Sequence, residues 1–424
     1  MKRKNILVFP CGSEIGLEIQ RSLQYSVHIN LFGASSIDDH CRYVCKNYIS
    51  DLPFFDRPDF ISCLKKVIVK YKIAAVYPAM DQVVAKLSMH EEELGCKVIG
   101  SPKTTTKICL SKLETYRVLD GKVLLPKLYE SIRNIKSYPV FMKPDIGYGS
   151  RGAKVIQTPE EARQHLNNFP MSMILEYLPG KEYTIDCFTD KRNRLLFVGP
   201  RERARITNGI SVNTVPVQTN KERFFQFAER ITNFIQFRGA WFFQVKENSN
   251  GDLVLLEVAC RMGGSSGLFR NLGVNFALLS IFDAFGHEVE IFPNRYKIEL
   301  DRALNNRYKI AIDFSHVYVD FDDCIIINGE INIELISFLY KCINENKRII
   351  LITKHAKNLH RSLGYFRLKS LFDEIIHLKG NQDKWRYITN LNSIFIDDSF
   401  KERKDVHKEL KIPVFSPDAV ESLL

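Results

Sequence analysis

Three short apolar runs in the last third of the chain each end in an oxygen-bearing side chain. His316-Val-Tyr-Val leads into Asp320-Phe-Asp322-Asp323-Cys324, Arg348-Ile-Ile-Leu-Ile ends at Thr353, and Ser393-Ile-Phe-Ile ends at Asp397-Asp398-Ser399. Strands separated by helix-length stretches form a parallel sheet covered on both faces. An open sheet of that kind brings its strand ends together at one crevice, where such folds bind ligands. Asp383-Lys384-Trp385 adds a lysine to the set, with Lys379 as a weaker candidate for the same place. Arg307 to Ile312 read as the linker into this region.

The same alternation opens the chain. Asn5-Ile-Leu-Val-Phe9 and Ala74-Ala-Val-Tyr77 are short apolar runs, and Phe60 to Tyr71 has helical periodicity. Residues 1–100 therefore read as a parallel α/β domain. The turn Gly12-Ser-Glu-Ile-Gly16 follows the first strand without the G-x-G-x-x-G order of a dinucleotide fingerprint. Glycine there suits a tight strand-to-helix turn. A dehydrogenase reading would rest on this turn alone.

Residues 101–305 carry denser signals. Pro139-Val-Phe-Met-Lys143-Pro-Asp, Ile146-Gly-Tyr-Gly-Ser-Arg-Gly152 and Ala153-Lys-Val-Ile156 place a glycine-rich turn between two strands, with a lysine on the first. Backbone N–H groups in such a loop can face an anion, and the lysine adds a fixed charge. Taken alone the loop is also an ordinary hairpin. Trp241-Phe-Phe-Gln244 and Leu253-Val-Leu-Leu-Glu257 are expected to end successive strands around the turn Asn248-Ser-Asn-Gly-Asp252. Two oxygen donors facing one cavity suit magnesium, and a solvated sheet edge would look the same.

At 424 residues the chain has length for roughly three folding units. Its 45% hydrophobic and 26% charged residues exclude wholesale disorder. No apolar run approaches the ~18 residues of a membrane span. The apolar stretch behind the basic first residues is too short for a signal peptide, so the expectation is a cytoplasmic protein without a membrane partner. The ten cysteines are scattered with no C-x-x-C pair and no zinc spacing, and Cys41 and Cys45 are expected to be buried thiols. Residues 306–424 hold 18 basic and 17 acidic side chains, so nearly all of the net charge of +11 lies earlier. No nucleic-acid-binding signature accompanies it, and small anionic ligands suffice to explain it.

Residues 1–300 resemble the ATP-grasp superfamily, specifically its carboxylate–amine ligases related to carbamoyl-phosphate synthetase. The resemblance rests on Leu110-Ser-Lys112, on Lys143 with its glycine loop, on Ile174-Leu-Glu-Tyr-Leu178, Gly180-Lys-Glu182 and Gln244, and on Glu257-Val-Ala-Cys-Arg261. It implies that Lys112 and Lys143 bind ATP phosphates under a loop that includes Gly147, Gly149, Ser150 and Gly152. It further implies that Glu176, Tyr177 and Leu178 meet adenine, that Glu182 meets the ribose, and that Gln244 and Glu257 bind magnesium, for which manganese can substitute. Arg261 would meet the transferred phosphoryl group, and Arg201, Arg203 and Arg205 resemble, loosely, a basic segment near the acceptor carboxylate. The implied reaction forms an acyl phosphate that an amine then attacks. One departure stands out: the family pattern Glu-x-Asn-Pro-Arg has Ala259 where asparagine binds metal. A non-catalytic, ATP-binding regulatory module is the alternative that this departure supports.

Residues 306–424 resemble the haloacid-dehalogenase-like (HAD) phosphatases. The resemblance implies a Rossmann-like domain in which Asp320 is the nucleophile and Asp322 the general acid and base. Thr353 and Lys384 would hold phosphoryl oxygens, and Asp320, Asp322, Asp397 and Asp398 would supply the magnesium site. Cys324 stands where threonine or valine is usual. The intervals between the motifs are too short for a large cap, so the site is expected to be open. The whole is then a multidomain α/β and α+β chain with domains at 1–100, 101–305 and 306–424. Its expected partners are a small carboxylate, an amine and a phosphorylated small molecule, and a homo-oligomer is compatible with it. The expected activity is ATP-dependent ligation combined with phosphate ester hydrolysis.

Overall fold

A computed structural model describes residues 3–147, 151–207, 209–305, 307–308, 310–380 and 382–424. The chain divides into two compact units, Met1–Leu304 and Asn305–Leu424. Among the described residues, no helix is long and apolar enough to cross a membrane.

The first unit begins with a parallel sheet of β1 (Lys4–Phe9), β2 (Ile29–Ala34), β3 (Asn47–Ile49), β4 (Ala75–Pro78) and β5 (Lys97–Val98), in the order β3-β2-β1-β4-β5. Its helices are α1 (Glu14–Leu23), α2 (Cys41–Val44), α3 (Phe60–Lys70), α4 (Asp81–Met89) and α5 (Glu91–Leu94). β1 is apolar throughout because both of its faces are covered. Ile6 and Val8 join one core with Ile19 and Leu23 of α1, while Leu7 and Phe9 join another with Leu64 of α3 and Val83 of α4. That split is the two-residue period of a strand. Ser13 caps α1 by accepting from Gly16 N–H at 3.0 Å. A Cβ on Gly16 would lie 2.5 Å from the Pro10 and Cys11 carbonyl oxygens. The glycine serves close packing at this turn.

Two antiparallel sheets follow helices α6 (Lys103–Leu110) and α7 (Lys112–Leu119). The smaller contains β6 (Leu128–Tyr129), β7 (Val140–Pro144), β8 (Lys154–Ile156) and β9 (Ser172–Glu176). The larger contains β10 (Glu182–Thr189), β11 (Leu195–Thr207), β12 (Ile210–Pro216), β13 (Gly239–Glu247), β14 (Leu253–Ala259) and β15 (Leu300–Asp301). Phe188, Ala240, Met262 and Leu268 pack into the same core as Ile6 and Val8, so the parallel sheet and the larger antiparallel sheet share buried apolar surface. That surface is what makes residues 1–304 one compact body.

The second unit is a parallel sheet of β16 (His316–Val319), β19 (Arg348–Thr353), β20 (Glu374–His377), β21 (Ser393–Ile396) and β22 (Val414–Phe415), ordered β20-β19-β16-β21-β22. Between β16 and β19 lie only the small hairpin of β17 (Ile326–Ile327) and β18 (Glu330–Ile331) and the helix Ile333–Asn344. Val317 and Val319 face one core and Tyr318 the other. The central strand is thus covered on both sides, as its apolar run requires.

Candidate functional sites

In the first unit, Lys143 joins the small sheet to the large one. It sits on β7, is 8% exposed, and donates 2.7 Å to the carbonyl of Leu256 on β14, the neighbour of Glu257. Tyr116 of α7 donates to the same carbonyl at 2.9 Å. Burial lowers the Lys143 pKa to about 8, with Glu257 acting in the opposite direction. Lys112 opens α7 behind the cap Ser111 and donates to the Asp145 carbonyl at 2.9 Å. The Asp145 carboxylate in turn accepts from Ser111 Oγ and Leu113 N–H. Lys112 is therefore tied to the residue leading into the glycine loop, and Lys143 to β14. Gly147 and Gly152 flank that loop, with Gly152 in the left-handed region at φ +74°. Gly149 and Ser150 lie outside the described residues.

Gln244 and Glu257 do not end their strands. They are paired mid-ladder, opposite one another on β13 and β14, with a register irregularity at Gln244. The turn is made by the Asn248 side chain accepting from the N–H groups of Asn250 and Asp252. Gln244 Oε1 accepts from Arg203 at 3.1 Å, and the same guanidinium group pairs with Glu182. Arg203 thus occupies the oxygens expected to meet metal and ribose. Glu257 remains an available carboxylate, and Ala259 is buried and apolar. Arg201, Arg203 and Arg205 share one strand, yet each is claimed by an acid: Asp186 at 2.6 Å in a buried pair, Glu182, and Asp301 at 2.7 Å. Arg261 pairs with Asp81 of α4 at 2.7 Å and lies 5.2 Å from the Phe242 ring centroid. At the end of β9, the Glu176 carboxylate accepts from Lys127 N–H at 2.9 Å. Tyr177 beyond it is partly exposed and Leu178 is buried.

In the second unit, the strand ends converge. Asp320, Asp397 and Asp398 offer oxygens that all lie within 4.8 Å of one another. Lys384 is buried, donates to Asp397 at 2.6 Å, and stands 2.8 Å from Asp320. Thr353, fully buried, also hydrogen-bonds the Asp320 carboxyl. Asp320 Oδ1 is buried and faces the Lys384 ammonium group at 2.8 Å, so a cation at these carboxylates would share that oxygen with the lysine. Burial raises the pKa of Asp320, and it raises that of Asp397 to about 6. Three carboxylates fit a hard divalent ion. Lys379 is exposed and outside this arrangement. Asp322 is outside it too: its side chain turns to His355, whose Nδ1 lies 2.9 Å away, while His355 Nε2 lies 2.9 Å from Ser362 Oγ. The expected set of four carboxylates is therefore three, with Asp322 held apart by a buried histidine. An open pocket of about 580 Å³ adjoins Asp398, lined also by Asn332, Arg403 and Asp418.

His355, Asp81 and Tyr116 were not foreseen from the sequence. Their signal is spatial: each lies on an element different from that of the group it contacts. Cys41 and Cys45, expected as thiols, are instead joined as a disulfide across the single turn of α2.

A family model described as "ATP-grasp in the biosynthetic pathway with Ter operon" matches residues 168–303. A D-alanine–D-alanine ligase of Thermotoga maritima is 30% identical over 144 residues, covering 30% of this chain and 48% of the relative. The chain thus spans about half the length of the curated relatives it matches. The biotin carboxylase domain of Hydrogenobacter thermophilus 2-oxoglutarate carboxylase, solved with MgADP and bicarbonate, superimposes with a TM-score of 0.58 at 15% identity, covering 69% of this chain and 72% of that one. The N5-carboxyaminoimidazole synthetase of Staphylococcus aureus, solved with ADP, gives 0.57 at 18% identity, covering 69% and 80%. The chain is a multidomain α/β protein with an ATP-grasp fold, homologous over part of its length to ATP-grasp ligases.

Proposed function

We propose that the first unit is an ATP-dependent ligase that joins a small carboxylate to an amine. The observation that carries this reading is the Lys143–Leu256 hydrogen bond, which holds a buried ammonium group beside Glu257 across two sheets. The partial homology to a ligase that joins two amino acids supports small amino or carboxylic acids as substrates. The carboxylate oxygen attacks the γ-phosphorus, and the bond from that phosphorus to the bridging oxygen of ADP breaks. The amine nitrogen then attacks the acyl phosphate carbonyl, loses a proton, and inorganic phosphate departs. Lys112, Lys143 and Arg261 would balance charge on the phosphates. Glu257, with Gln244 once released by Arg203, would hold magnesium. When bound, that ion neutralises phosphate oxygens.

For the second unit we propose phosphate ester hydrolysis. The convergence of Asp320, Asp397 and Asp398 around Lys384 supports it. Asp320 would attack phosphorus, Asp322 would protonate the leaving oxygen, and water would then cleave the aspartyl phosphate. Asp320, Asp397 and Asp398 fit a magnesium ion.

A regulatory reading of the first unit has one specific support. Arg203 holds Gln244, and Ala259 offers no oxygen, so metal donors are sparse. ADP formation measured across paired carboxylates and amines separates the two readings. A ligase sustains ADP formation beyond one equivalent only when carboxylate and amine are both present, and a regulator binds ATP without turnover under every pairing.

A further inference from the structure

None of the residues proposed for ligation or hydrolysis explains a third cluster, beyond the C-terminal end of the central strand β1. Cys11 follows β1, while Cys41 opens α2 and Cys45 closes it. Their sulfur atoms all lie within 4.8 Å of one another. Among the described residues, the only comparable gathering of possible metal ligands is Asp320, Asp397 and Asp398. The backbone fixes all three cysteines. Cys11 N–H donates to the Ala34 carbonyl at 2.9 Å, Cys41 N–H to the Asp39 carboxylate at 3.0 Å, and Cys45 N–H to the Cys41 carbonyl at 2.8 Å. Gly33 of β2 faces the sulfurs: a Cβ there would lie 2.7 Å from Cys45 Sγ and 2.9 Å from Cys41 Sγ. The cluster therefore forms only over a residue without a side chain.

We propose that, once the Cys41–Cys45 disulfide is reduced, Cys11, Cys41 and Cys45 form a buried three-thiolate site for one thiophilic cation, copper(I) or zinc(II). With metal–sulfur bonds of about 2.3 Å, ligand sulfurs sit roughly 3.8 to 4.0 Å apart, so Cys41 and Cys45 Sγ must separate when their disulfide is reduced, within a cluster whose sulfurs all lie inside 4.8 Å. The donor set is sulfur alone, because the nearby Asp39 carboxylate is already engaged by Ser35 Oγ and Cys41 N–H. Thiolates select soft ions over magnesium or calcium. A phosphine reductant supplies two electrons to the disulfide and water two protons, giving two thiols. Binding then releases three thiol protons to solvent. Bound metal would pin α2 to the end of β1, as the disulfide alone does not.

The test uses the full chain reduced with a phosphine, in separate arms with zinc(II) and with copper(I), read by X-ray absorption and by competition titration. The expected result in at least one arm is one equivalent bound with three sulfur neighbours at about 2.3 Å. Copper(I) would show sulfur only, and zinc(II) three sulfurs plus one water oxygen. Cys11→Ser should lower the count to two and weaken binding in the competition titration, while Cys63→Ser should change neither. Fewer than three sulfurs in both arms on the wild-type chain, no binding in either arm, or unchanged affinity in folded Cys11→Ser would each overturn the proposal. The wild-type sulfur count decides the matter even if Cys11→Ser fails to fold.

Discussion

Lys384 donates a 2.6 Å hydrogen bond to Asp397 while standing 2.8 Å from Asp320, so one buried ammonium group holds two buried carboxylates. Removing one partner of a buried ion pair typically costs about 3–5 kcal/mol, because the remaining charge is left uncompensated. In Lys384→Met, two carboxylates lose their cation together. The expected outcome is a clear fall in the melting temperature of the second unit in EDTA, partly restored by magnesium. Asp397→Asn should abolish the stabilising effect of magnesium. Calorimetry with and without the ion checks both.

The pH dependence of that site follows from Asp397, whose pKa burial raises to about 6. Its folded value lies above its unfolded value, so the unfolded chain ionises first. The contribution to stability is present at low pH and is lost as pH rises from the ordinary carboxylate range through about 6. Magnesium must displace the same proton, so its affinity should climb over that interval. Metal titrations at pH 5 and 7 that gave equal affinity would contradict the arrangement.

Lys143 gives the opposite sign at the other site. Its pKa is lowered to about 8 by burial, so the lysine is charged below that value and neutral above it. ATP binding should weaken as pH rises through about 8. Lys143→Ala should weaken it at neutral pH by roughly ten- to a hundredfold, the worth of a charge-assisted hydrogen bond. Hydrolysis of an aryl phosphate should be untouched by Lys143→Ala and abolished by Asp320→Asn. A folded variant that lost both activities would refute separate sites.

What the chain reveals before folding is uneven, and the reason is geometric. Asp320, Thr353 and Asp397 were legible because strand period and strand ends are local properties of sequence. Lys143 was legible for the same reason, lying on a strand beside a glycine loop. Arg203 was not: its hold on Glu182 and Gln244 depends on the register of β11 against β10 and of β10 against β13. The third cysteine was equally hidden. Cys41 and Cys45 show their four-residue spacing, but Cys11 reaches them only because β1 pairs with β2. Cross-strand register is set by tertiary packing, so partners chosen through it are invisible in a linear reading.

Glu257 and Ala259 test the first metal site directly. Glu257→Ala removes the one carboxylate that this strand offers beside Lys143, and ATP turnover should vanish. Ala259→Asn restores the oxygen donor of the family pattern and should keep or raise turnover while lowering the magnesium concentration needed for half-maximal rate. Turnover that survived Glu257→Ala would move the metal elsewhere.

His355 supplies the last prediction. It is 9% exposed, and its ring spans from Asp322 to Ser362, with the Phe321 ring packed edge-on 5.0 Å away. A side chain held at both ring nitrogens cannot swing, so it fixes where the Asp322 carboxyl points. If Asp322 protonates the leaving oxygen, that aim matters in proportion to how poor the leaving group is. General acid catalysis contributes about 10²- to 10⁴-fold for an alkoxide and little for a stabilised phenolate. His355→Ala should therefore lower kcat for an alkyl phosphate by tenfold or more and barely alter it for p-nitrophenyl phosphate. His355→Gln, which can still reach Asp322, should recover part of the loss. A purely structural histidine would depress both substrates equally, and that result would separate Asp322 from leaving-group protonation.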